Sequence, residues 1–161
     1  MYKKKKIFKK YDKRGFFLKF FNSSKKNNIN EYFITESKKN VFRGFHYYEQ
    51  RNKSNRSIYL LKGKIIDYLI DLRKKHFGKL YKKTINEGSN YIYFLPSYCA
   101  HAYLTVKKSQ IIYFFEKKYK KKYDKGIHYK SVKAKFNKEK FIISPRDKRH
   151  PKIQSLKISL K

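Results

Sequence analysis

SIYLLKGKIIDYLIDL, residues 57–72, decides how this chain folds. Two apolar runs rich in Ile, Leu and Tyr flank Gly63, and a glycine between two lysines marks a hairpin turn. Downstream, NYIYFLP (90–96) reads as a strand ended by Pro96, and HAYLTV (101–106) and QIIYFFEKKY (110–119) as two more. The segment after Arg73 holds another short strand and a turn at Glu87-Gly88. Upstream lie strands in VFRGFHYY (41–48), YFIT (32–35) and DKRGFFLKFF (12–21), the last following a turn at Gly15. Many short strands without a long 3.6-residue period predict a closed or two-sheet all-β architecture. Residues 121–141 are basic and irregular, read as one helical turn plus an edge strand, and the tail beyond Pro151 as a surface segment. There is no internal repeat and no interdomain linker, so residues 1–161 are expected to form one domain.

That length buries about two-thirds of the unfolded surface. Hydrophobic residues make up 40% of the chain and aromatics 19%, a composition that favours pleated, half-buried surfaces. Net charge is +33, from 44 basic and 11 acidic residues, which ordinarily points to a polyanionic partner. Yet the basic set is seven arginines against thirty-seven lysines, and arginine is the better reader of phosphates and base edges. Lys, Asn, Ile, Tyr and Phe all have AT-rich codons, so much of the charge reads as drift on the solvated face. Nucleic acid is then expected to adhere nonspecifically rather than as the biological partner. Cys99 is the only cysteine, which excludes an internal disulfide and fits a reducing cytoplasm. No apolar run approaches the roughly 18 residues of a membrane span, and the basic N-terminus lacks the apolar region of a signal peptide.

Two histidines, His46 and His101, lie in apolar, aromatic strand segments away from the lysine runs, and Ser144-Pro145-Arg146-Asp147 sets a carboxylate near the C-terminus. Taken alone, a lone histidine on an apolar face is most often a core residue bonded to a carbonyl. Tyr113 is one of sixteen tyrosines, and Asp147 would be a surface charge paired with lysine at little net gain. Cys99 reads as a small buried residue without a role. Arg43 and His46 are three apart, so on an ideal strand they face opposite sides unless Gly44 supplies a bulge.

Five segments change that weighting. DKRGFF (12–17), FRGFHYY (42–48), GKIIDYLIDLR (63–73), LPSYCAHAY (95–103) and SPRD (144–147) follow in order. They resemble the DxRGFF, LRGLHYQ, GxxxDxxxDLR, IPxGFAHGF and SxKD motifs of the dTDP-4-dehydrorhamnose 3,5-epimerase family, over roughly residues 12–150. The resemblance implies a cupin-type jelly roll with short peripheral helical turns, acting as a homodimer without metal or other cofactor. The implied substrate is a nucleoside-diphosphate 4-keto-6-deoxy sugar, inverted at C3, C5 or both.

The resemblance also assigns roles. His46 is the base that takes a proton beside the C4 ketone, and Asp147 holds its imidazole. Tyr113 delivers a proton to the opposite face. His101 and Arg56 stabilise the enolate oxygen, arginine standing where the family usually has lysine. Arg14 and Arg43 hold the diphosphate, Tyr119 lines the pocket, and Asp67 partners His101. The chemistry needs such groups: a base poised near neutral pH, positive charge where the enolate develops, and an acid that stays protonated. Lys19, Tyr48 and HYKS (128–131) depart from the family pattern and bear on which sugar is accepted.

Three rival readings remain open at this point. A metal-dependent cupin would use His46, Glu49 and His101, though Tyr48 stands where a further histidine is expected. A nucleic-acid module would use the basic and aromatic interleaving of residues 113–130. A sugar ketoisomerase would share the fold and need another proton shuttle, against which the SPRD carboxylate argues.

Overall fold

A computed structural model describes residues 2–13, 15–20, 29–49, 54–131 and 141–156. Its strands are β1 (Lys3–Lys6), β2 (Phe8–Asp12), β3 (Gly15–Lys19), β4 (Glu31–Ser37), β5 (Val41–Tyr48), β6 (Arg56–Lys62) and β7 (Lys64–Asp71). They continue as β8 (Leu80–Asn86), β9 (Tyr91–Leu95), β10 (Cys99–Thr105), β11 (Ser109–Phe115), β12 (Asp124–Gly126) and β13 (Ile142–Ile143). One α-turn, α1 (Pro145–Lys148), and short 3₁₀ turns complete the described elements. One sheet has the order β1-β9-β6-β11-β4 and the other β12-β5-β10-β7-β8, with β13 parallel to β5 and β2–β3 a separate hairpin. From β4 onward successive strands mostly alternate between the two sheets, which is a jelly roll.

The turn at Gly63 therefore does something other than close a hairpin. Strand β6 pairs with β9 and β11, whereas β7 pairs with β8 and β10. Gly63 has φ +96°, and a Cβ there would lie 2.3 Å from the Lys108 carbonyl oxygen, so the chain turns a tight corner from one sheet into the other. The sequence expectation of a turn holds and the expected pairing does not.

Residue pattern and burial explain the two-sheet packing. Along β7, Ile65 and Leu69 point between the sheets, while Tyr68 and Ile70 join a second cluster on the outer face with Phe42, Phe45, Ala100 and Ala102. Ile127 and Ile153 cap that outer cluster. Ile153 is 6% exposed and anchors the segment past Pro151, whose Lys152, Gln154 and Ser155 stay exposed as expected of a surface segment. The other sheet is covered likewise: Ile7, Tyr59, Ile92 and Phe114 cluster under Leu18, Phe20 and Ile29. Strands buried on both faces lose strict alternation, which is why the apolar runs look continuous in the sequence. Lys3–Lys6 pairs with β9, so the basic N-terminus closes a sheet edge, where lysine discourages further strand pairing. In the basic region after residue 120, a 3₁₀ turn (Lys121–Tyr123) and the edge strand β12 appear as expected, while residues 132–140 lie outside the described set.

Candidate active site

Strands β4, β5, β6, β10, β11 and β12 line one cavity of about 250 Å³ between the sheets. His46 and Arg43 enter from β5, Arg56 from β6, His101 from β10 and Tyr113 from β11, with Tyr119 on the loop beyond. Arg14 falls outside the described residues. The remaining two expected site residues, Asp67 and Asp147, stand behind the histidines.

Arg43 and His46 share the cavity because β5 carries one extra residue. His46 pairs with His101 and Arg43 with Tyr103, three positions on β5 against two on β10. Gly44 is the irregular residue, at φ +122°, where a Cβ would lie 2.6 Å from both Ala102 Cβ and the His101 carbonyl oxygen. Only glycine fits that close approach of β5 to β10. The bulge resolves the periodicity conflict read from the sequence.

His46 Nε2 lies 2.9 Å from Asp147 Oδ1. Asp147 comes from α1, whose local chemistry is plain in its letters: Ser144 is the N-cap, Pro145 follows it, and the Asp147 N–H donates to Ser144 Oγ at 3.0 Å. β13 runs beside β5 and brings this turn against it. The Gly44 N–H donates to Asp147 Oδ2 at 3.1 Å, so both carboxylate oxygens have a partner on β5. Burial pushes the Asp147 carboxyl up, but the hydrogen bond and charge of His46 with the Gly44 N–H hold it below its ordinary value.

The second pair is more enclosed. His101 Nε2 lies 2.6 Å from Asp67 Oδ1, with the residues 4% and 0% exposed. Asp67 is inward-facing on β7, directly paired with Tyr103 in register. In each pair one ring nitrogen is committed to a carboxylate, which fixes the tautomer and leaves Nδ1 for other work.

Arg56 is 6% exposed and donates from Nη2 to the His46 carbonyl at 3.3 Å, while its buried Nε has no hydrogen-bond partner. Burial lowers its pKa, the direction expected for a cation held in a low-dielectric cavity. Tyr113 is 8% exposed, stacked on Phe33 at 5.3 Å and edge-on to His101 at 6.2 Å. Burial, then the neighbouring Tyr103 and Asp67, push its phenol well above the usual tyrosine range, so it rests protonated. Arg43 is exposed at the mouth, its Nε donating to Ser37 Oγ at 3.0 Å. Tyr119 donates to Asp124 Oδ2 at 2.9 Å, and Arg146 grips the same oxygen at 2.7 Å.

Three contributors escaped the sequence reading. Asp124 and Tyr103 line the cavity, and His150 stands behind it with its Nε2 3.4 Å from Asp147 Oδ1. Only its three-residue offset from Asp147 hinted at a shared helical face. Of the departures, Tyr48 is buried, and its hydroxyl accepts from the Lys120 N–H at 2.9 Å, tying down the segment that presents Tyr119. His128 accepts from the Lys130 N–H at 3.2 Å, whereas Lys19 is exposed. Cys99 is buried, and burial pushes its thiol up to about 12, which leaves it unreactive. The His46, Glu49, His101 metal set does not assemble. Glu49 is exposed with its carboxylate 3.8 Å from Lys125 Nζ and is not among the residues that line the cavity.

A family model, that of dTDP-4-dehydrorhamnose 3,5-epimerase, matches residues 4–155. The dTDP-4-dehydrorhamnose 3,5-epimerase of Sulfolobus tokodaii is 30% identical and superimposes with a TM-score of 0.82, covering 93% of this chain and 89% of that one. The Legionella pneumophila dTDP-6-deoxy-D-glucose-3,5-epimerase, crystallised with dTDP-4-keto-L-rhamnose, is 20% identical with a TM-score of 0.87 over 99% and 91%. A 4-keto-6-deoxy sugar epimerase from the novobiocin cluster of Streptomyces spheroides is 16% identical with a TM-score of 0.84 over 95% and 83%. No curated protein sequence matches significantly.

Proposed function

The chain belongs to the dTDP-4-dehydrorhamnose 3,5-epimerase family of isomerases, and on that premise we propose that it epimerises a nucleoside-diphosphate 4-keto-6-deoxy sugar through an enolate, with His46 as the base. The observation that carries this reading is the His46–Asp147 pair at 2.9 Å facing a cavity that also holds a buried tyrosine and a buried arginine. With Nε2 anchored to the carboxylate, Nδ1 takes the proton from the carbon beside the C4 ketone. The C–H electron pair moves into the new C=C bond and negative charge collects on the C4 oxygen. Arg56 and His101 stabilise that oxygen, and the Tyr113 hydroxyl returns a proton to carbon from the opposite face. Exchange with solvent then restores the neutral imidazole and the phenol. Arg43, with Arg14, holds the diphosphate, and Tyr119 packs at the entrance. The chemistry calls for no metal and no redox cofactor. Thymidine is the first nucleotide to test, since relatives of this fold are crystallised with dTDP-linked ligands.

The same reading takes residues 1–161 as one epimerase domain with its core at about 12–150, working in the cytoplasm. Among the described residues no helix is long and apolar enough to cross a membrane. A homodimer fits the exposed apolar surface: Phe8, Tyr11, Phe16 and Phe17 on the β2–β3 hairpin and Tyr32 and Ile34 on β4 are all more than half exposed. Nucleic acid would adhere only through charge.

The test is deuterium exchange. Wild type, His46→Ala and Tyr113→Phe are incubated in D₂O with dTDP-4-keto-6-deoxyglucose while the C3 and C5 protons are followed by NMR. Wild type should exchange and invert. His46→Ala should slow exchange by about 10²- to 10⁴-fold with the fold intact. Tyr113→Phe should retain exchange and lose inversion. Near wild-type exchange by His46→Ala removes His46 as the base.

A further inference from the structure

His150 is a half-buried imidazole whose Nε2 is itself buried and has no hydrogen-bond partner, 3.4 Å from a carboxylate oxygen that already holds His46. A buried nitrogen left in that state calls for a partner. The position is built rather than incidental. Gly126 on β12 lies where a Cβ would come within 2.2 Å of His150 Nε2, so the imidazole reaches Asp147 only because residue 126 has no side chain. The rings of His46 and His150 meet edge to face at 5.7 Å. The ligand atoms of His46, Asp147 and His150 all lie within 4.8 Å of one another, the one such triad among the described residues.

We propose that His46, Asp147 and His150 form a binding site for a divalent cation of the zinc class, and that its occupation silences His46. Two imidazole nitrogens and one carboxylate oxygen are the donor set of an open tetrahedral zinc site and are poor ligands for magnesium or calcium. Bonds of roughly 2.0–2.2 Å place tetrahedral ligands about 3.4 Å apart. The two contacts to Asp147 Oδ1, at 2.9 and 3.4 Å, need little adjustment to meet that. The cation takes the Nε2 lone pair, and the single ring proton of the neutral imidazole moves from Nε2 to Nδ1. An imidazole in that form has no lone pair for the substrate proton. The metal thus acts from behind the ring, and excess substrate does not relieve it. This second half rests on His46 being the base; the binding half does not.

The experiment uses the metal-stripped full chain and Zn²⁺ itself. Titration calorimetry should show one site per chain, and zinc should move the ¹⁵N signals of His46 and His150 while leaving those of His76 and His128 in place. His150→Gln should weaken binding by about 10- to 100-fold or more and raise the zinc concentration that halts deuterium exchange by a similar factor. Binding unchanged in His150→Gln, or zinc signals confined to His76 and His128, overturns the proposal. The NMR readout needs no variant, so a misfolded His150→Gln leaves a decisive measurement. Zinc bound at this triad while wild-type exchange continues would support the site and sink His46 as the base, and thus separates the two readings.

Discussion

Asp147 is pulled both ways, and the balance sets a pH dependence. Burial raises its carboxyl, while His46 and the Gly44 N–H together leave it below the ordinary 3.8. A carboxyl lowered by folding contributes stability that is fully present above its unfolded value and lost as pH falls through the folded one. Asp147→Asn should therefore lower the urea midpoint at pH 7, and the gap to wild type should narrow as pH drops below about 4. Turnover in the same variant should fall by about 10²- to 10⁴-fold, because an amide holds the wrong imidazole tautomer. Activity near wild type would show that His46 orients itself. At this scale the sequence was informative where motif and capping chemistry coincided, as in Ser144-Pro145-Arg146-Asp147. It was silent on His150 and Asp124, whose places depend on a glycine and on a neighbouring strand rather than on any local pattern.

β5 is the element on which the site turns. Its pattern alone puts Arg43 and His46 on opposite faces, and one extra residue at Gly44 brings them together. Gly44→Ala should cost about 1–3 kcal/mol from the backbone conformation alone. The clash with Ala102 Cβ and the His101 carbonyl at 2.6 Å adds to that. The variant should show a lower denaturant midpoint together with a raised KM, because Arg43 is re-aimed with the strand. An unchanged midpoint and KM would mean that the bulge tolerates a side chain. Sequence reading could state that a bulge was required but not that it existed, since a glycine in a strand signals a bulge only when the opposing strand is known. The Gly63 corner failed for the related reason that pairing partners are non-local.

For the whole molecule the dominant fact is the +33 charge. Whatever its origin, it surrounds a cavity whose mouth carries Arg43 and whose proposed substrate is a diphosphate. Long-range attraction raises encounter rates and is screened beyond about 10 Å at 0.1 M salt. Thus kcat/KM should fall as salt rises from 20 to ~300 mM, while kcat stays level. A flat kcat/KM would mean that the lysines play no part in capture. Fold class was legible because many short apolar runs admit few architectures. The assignment of strands to sheets was not, because both faces of each sheet are covered and the residue pattern no longer says which side is inside.

The strands bearing His46, His101 and Tyr113 are each hydrogen-bonded on both sides: β5 between β10 and β12, β10 between β5 and β7, β11 between β4 and β6. Such doubly bonded interior strands open last, with the free energy of global unfolding. On heating, loss of turnover should thus coincide with the cooperative melting of the sheets rather than precede it, and catalysis becomes a gauge of how much folded protein remains.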